Sequence, residues 1–93
     1  MSDKEQVIIT IVGKDRTGIV AGITNVLAQQ SVNIEDLNST IMQDFFAMIV
    51  LADIASSNLG LSELKKELEK EAERLGVKVY IQHHDIFEFM HRI

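Results

Sequence analysis

Residues Val7 to Ile23, VIITIVGKDRTGIVAGI, pass from an almost unbroken β-branched run through a short polar turn into an apolar stripe at helical spacing. Val7, Ile8, Ile9, Ile11 and Val12 read as a central strand covered on both faces, because a strand with one wet face would alternate. Gly13 is expected to end it. In the turn, Asp15 and Thr17 each carry an oxygen able to accept from backbone N–H groups, and Gly18 lets a ligand or a second backbone come close. Ile19, Val20, Ile23, Val26 and Leu27 then place a helix start near Thr17 or Gly18 and a buried stripe along that helix. Free N–H groups gather at such a start, so the turn suits a small anion. A capped connection that holds nothing accounts for the same residues equally well.

Further along, Ser31 and Asn33 break the helix. Ile34 to Gln43 (IEDLNSTIMQ) is a polar strand with scattered apolar positions, which suits a sheet edge. Asp44 marks a tight turn into Phe45 to Ile54 (FFAMIVLADI), the most apolar segment of the chain and a second central strand. After a loop of Ser56, Ser57, Asn58 and Gly60, Ser62 is the expected N-cap of a second helix. That helix buries Leu64, Leu68, Ala72 and Leu75 and carries the pairs Glu63–Lys66, Glu67–Lys70 and Glu71–Arg74 outside. Gly76 sits where a helix-terminating glycine belongs, and Val77, Val79 and Ile81 alternate with polar residues in a last strand.

The order is βαββαβ, an α+β chain of the ferredoxin-like plan: a four-stranded antiparallel sheet with two helices on one face. Right-handed crossovers leave strands one and three central and strands two and four at the edges. The other sheet face then stays open although strands one and three are apolar on both sides. Residues 84–93 (HDIFEFMHRI) place Ile86, Phe89, Met90 and Ile93 on one stripe, with Phe87 beside them, and are expected to form a short C-terminal helix that covers an open face. The expected division is a tail over 1–6, the domain over 7–83 and the extension over 84–93.

Composition narrows function. The 93 residues make one domain whose high surface-to-volume ratio favours a dimer or larger assembly. With 9 basic against 14 acidic residues the net charge is −5, a poor match for nucleic acid. There is no cysteine, MSDKEQ is too polar for a secretory signal, and no apolar run spans a membrane, so a cytoplasmic location is expected. A membrane-surface role for residues 84–93 is disfavoured by their single fixed positive charge, Arg92. His84, Glu88 and His91, with Asp85 nearby, share a helical face, yet supply no closed ligand set, so no metal or other cofactor is expected. The hydroxyls of Ser39, Thr40, Ser56 and Ser57 have no histidine that the topology brings close, so no catalytic residues are assigned.

The chain resembles the ACT domain family, small regulatory folds that bind amino acids and related metabolites at subunit interfaces. The resemblance rests on the turn Asp15-Arg16-Thr17-Gly18 after the first strand, the length of the first helix, and the Val32-Asn33-Ile34 entry to the second strand, over roughly residues 7–83. It is similar more narrowly to small free-standing ACT proteins of bacteria and archaea, and distantly to the ACT regulators of glycine cleavage. The resemblance implies a ligand between the first βα turn of one subunit and the second-strand region of its neighbour. Its candidate residues are Asp15, Arg16, Thr17, Gly18, Ile19, Asn33 and Ile34, with the Asp15 carboxylate toward an ammonium, the N–H groups of Gly18 and Ile19 toward a carboxylate, and Asn33 contributed by the facing subunit. Gly13 stands where certain serine-binding members carry a histidine, so their ligand does not transfer.

The expected function is a non-catalytic, homo-oligomeric module that binds an amino acid or similar metabolite and signals to a separate effector protein, without nucleic acid or membrane. The alternatives are an interaction module with no ligand, or an acylphosphatase-like enzyme, for which Arg16 is present but lacks a glycine-rich cradle.

Overall fold

The computed structural model describes residues 4–15 and 17–84. Its elements run β1 (Gln6–Lys14), α1 (Ile19–Gln29), β2 (Asn33–Met42), β3 (Phe45–Asp53), α2 (Leu61–Leu75) and β4 (Val77–His83). The antiparallel sheet has the order β2-β3-β1-β4, so the two most apolar strands are central and each edge strand has one unpaired side.

The registers sort the side chains into two faces. Val7, Ile9 and Ile11 stand opposite Ala52, Val50 and Met48, and all six are fully buried. They pack with Ile19, Ile23 and Leu27 of α1 and Leu64, Leu68, Ala72 and Leu75 of α2 in one core, so both helices cover the same face. Val77, Val79 and Ile81 complete that side. On the other face Ile8 is buried, whereas Ile49 and Tyr80 are 46% and 56% exposed. The extension expected over 84–93, with its covering helix, falls outside the described residues except for His84.

Local differences from the sequence reading have identifiable causes. Gly13 does not end β1 but lies inside it, opposite Phe46 and Val77. A Cβ there would stand 2.8 Å from Val77 Cγ1 and 3.1 Å from Val77 Cα, so the absence of a side chain is what lets β4 close against β1. No side chain caps α1, which Asp15 and Thr17 were expected to do; its N-cap is Gly18. Ser62 lies within α2, whose N-cap is Gly60, and the Leu64 N–H donates to the Gly60 carbonyl at 2.9 Å. Val20, counted in the buried stripe of α1, is 40% exposed. Outside α2, Lys70 pairs with Glu67 at 3.4 Å and Arg74 Nε donates to Glu71 at 3.1 Å, two of the three expected rungs. The Arg74 hydrogen bond holds the Glu71 carboxyl below its ordinary value.

Candidate functional site

The turn after β1 is pinned by backbone. The Asp15 N–H donates to the Asp44 carbonyl at 2.7 Å, which ties the turn to the tip of the β2–β3 hairpin. Gly18 follows with φ 90°, ψ 2°, a left-handed conformation that strains a residue bearing Cβ. The first helical bond runs from the Gly22 N–H to the Gly18 carbonyl at 2.8 Å, so the N–H groups of Ile19, Val20 and Ala21 have no partner within the helix and no side-chain cap. The space beside Gly18 is open, with nothing within 4 Å of where its Cβ would stand.

Asp15, Thr17 and Gly18 are exposed around these donors, and Ile19 is 2% exposed, so only its backbone can face a ligand. Arg16 lies outside the described residues. The neighbouring hairpin turns at Gln43, φ 58°, and Asp44, and carries Ile41, Met42 and Phe45 at 57%, 72% and 66% exposure. A polar turn with free donors thus has an apolar rim, a feature that reading the segments one at a time did not bring out. The signal was present in the Ile41-Met42 and Phe45 flanks of Asp44.

Asn33 and Ile34 stand elsewhere. Asn33 is exposed and level with Gln6, since both register with Asp53, while Ile34 is half-buried on the helix-covered side. Asp15 lies beyond Lys14 at the other end of the nine-residue β1, so the two halves are separated by roughly 26 Å at the rise of a strand. One protomer does not bring Asp15 and Asn33 together.

Beside Asn33 the charges satisfy one another. Lys4 Nζ is 2.7 Å from Glu35, and Gln6 Nε2 donates to the same carboxylate at 2.6 Å. The Lys4 and Gln6 hydrogen bonds hold the Glu35 carboxyl below its ordinary value, and the bond to Glu35 raises Lys4. Asp53 accepts from the N–H groups of Ala55 at 2.9 Å and Glu5 at 3.0 Å, which lower it likewise. These groups fasten the start of β1 to β2 and the end of β3.

Among the described residues no three or more His, Asp or Glu side chains cluster as metal ligands. Of the metal candidates, Asp85, Glu88 and His91 fall outside them. Of the hydroxyls, Ser57 accepts from the Leu59 N–H at 3.2 Å, and Ser39, Thr40 and Ser56 are exposed. No helix among the described residues is long and apolar enough to cross a membrane.

The βαββαβ order with sheet order β2-β3-β1-β4 defines a ferredoxin-like α+β domain. Within that class the chain matches the model of the ACT domain family over residues 5–82, and it belongs to that family. It is 54% identical over 88 residues to a UPF0237 protein of Methanocaldococcus jannaschii, covering 95% of this chain and 98% of that one. It is 35% identical to an ACT domain protein from Streptococcus pneumoniae of known structure, with a TM-score of 0.80 over 92% of this chain and 97% of that one. The same fold recurs in a putative glycine cleavage system transcriptional repressor, at 22% identity and TM-score 0.77, over 88% of this chain and 47% of the larger one.

Proposed function

We propose that this protein is a non-catalytic regulatory domain that binds an amino acid or similar small metabolite where two copies meet and signals to a separate partner. Membership of the ACT domain family supports a regulatory role. The observation that carries the reading is the placement of the turn and Asn33 at opposite ends of one sheet. If two β2 edges pair antiparallel about a two-fold axis, Asn33 of one copy arrives at the end where the other copy has Met42 and, through Asp44, Asp15. The Asp15 carboxylate then suits an ammonium and the open start of α1 suits a carboxylate, the two ends of a free α-amino acid. The apolar hairpin rim gives its side chain a place to lie. A cytoplasmic location belongs to the same reading and accords with a chain free of cysteine.

A thermal-shift screen of the twenty amino acids, followed by calorimetry, tests this reading. A ligand that binds only the folded state raises the melting temperature, because a free concentration a hundredfold above its Kd adds about 2.7 kcal/mol of folding stability. No stabilisation by any of the twenty leaves an interaction module without an amino-acid ligand.

A further inference from the structure

The sheet has a second edge, and its surroundings differ from those of β2. β4 pairs with β1 from Val7↔His83 to Gly13↔Val77 without a register shift, and its other side pairs with no described strand. The β2 pairing with β3, by contrast, has an irregularity between Ile34 and Asp36. Along the first half of β4 the sheet and α2 enclose a groove of about 370 Å³, lined by Glu69, Ala72, Glu73, Val77, Lys78 and Val79. Ala72, Val77 and Val79 give it apolar surface and Glu69 and Glu73 an acidic wall on α2, while Lys78 of β4 alternates with Val77 and Val79 and so belongs to the other sheet face. Glu67 and Glu71, on the same helix, are paired with Lys70 and Arg74, whereas Glu69 and Glu73 enter none of the ion pairs found among the described residues.

We infer that this groove takes an extended segment of a partner protein, added as a fifth strand along Val77–Tyr80 and carrying basic side chains at alternate positions. The backbone of an exposed edge supplies the hydrogen bonds of such an addition, and the groove supplies its selectivity. The spacings agree. Glu69 and Glu73 are four residues apart on α2, about 6 Å along the helix, and residues i and i+2 of a strand are about 6.7 Å apart on one face. Two arginines or lysines of the added strand therefore reach both carboxylates at once, while their aliphatic stems cover Ala72 and Val79. The net charge of −5 favours the approach of a basic segment. This inference names the partner surface in the proposed function, and it leaves the β2 edge for the second copy.

The test uses the full chain and a blocked heptapeptide, Thr-Arg-Val-Arg-Val-Arg-Thr, followed by amide NMR shifts and by titration. Binding should move the amides of Val77–Tyr80 and of Glu69–Glu73. The double change Glu69→Gln and Glu73→Gln should weaken it roughly five- to tenfold, as two exposed ion pairs allow. Glu67→Gln should leave affinity within about twofold, because Glu67 lies outside the groove lining and is already paired. All three carboxylates lie on the helix surface, so folding is not at issue. Shifts confined to the β2 edge, an equal loss on Glu67→Gln, or no binding overturns the inference. No amino acid enters this titration, so a peptide that binds while the amino-acid screen fails leaves the groove standing and removes only the metabolite.

Discussion

At Gly13 the missing Cβ matters more than backbone freedom. A methyl group at 2.8 Å from Val77 Cγ1 forces either β4 or the side chain of Val77 to move. Gly13→Ala should therefore cost about 1–3 kcal/mol in a denaturant melt, the usual range for overpacking. A melt unchanged within about 0.5 kcal/mol would mean that β4 gives way freely. Gly13 read as a strand end because the residue it meets, Val77, is remote in sequence and only the fold brings it close. Asp15 and Gly18 stood out from their own turn, yet the Asp15–Asp44 hydrogen bond that aims the turn at the hairpin is a long-range contact invisible to local reading.

Helices and strands were legible where periodicity is strong and blurred where a single residue decides. The stripe Leu64, Leu68, Ala72, Leu75 is the buried face of α2 as its spacing requires, and the β-branched runs of β1 and β3 are central. The start of α2 was misread, because Leu59 and Leu61 are partly buried against the core and draw the helix start back to Gly60, leaving Ser62 inside the first turn. Ser62→Ala should then change stability by less than about 0.5 kcal/mol, whereas loss of a true cap costs about 1 kcal/mol or more. A thermal or chemical melt of that variant separates the two. Along β2 the irregularity between Ile34 and Asp36 also escaped the sequence, since a polar edge strand sets its register weakly.

For the molecule as a whole, acid should weaken the fold at the end of the sheet where the chain enters β1 and on the outer face of α2. Glu35 and Asp53 are held below their ordinary values by hydrogen bonds from Lys4 and Gln6 and from the Ala55 and Glu5 N–H groups, and Glu71 by Arg74. A carboxyl lowered in the folded state contributes stability above its unfolded pKa and loses it as pH falls through the lower folded value. The contribution of these groups to the melting temperature should thus be steady from neutral pH to about 5 and decline below about 4. Glu35→Gln should flatten that decline; a wild-type acid limb that the variant leaves unchanged would remove Glu35 from the account.

The central claim is that two copies of this chain build one metabolite site, and mixing variants tests it most directly. With a ligand from the amino-acid screen, Asp15→Ala and Asn33→Ala should each weaken binding by about 1.5–3 kcal/mol, the worth of a hydrogen bond to a charged group. Each variant alone spoils both sites of its dimer. When equal amounts are mixed and allowed to exchange, every mixed dimer contains one site built from the intact Asp15 of one copy and the intact Asn33 of the other. Calorimetry should then find about one quarter of all sites restored to wild-type affinity if copies pair at random. A mixture that binds no better than the separate variants would contradict the account, since Asp15 and Asn33 would then not meet across the interface.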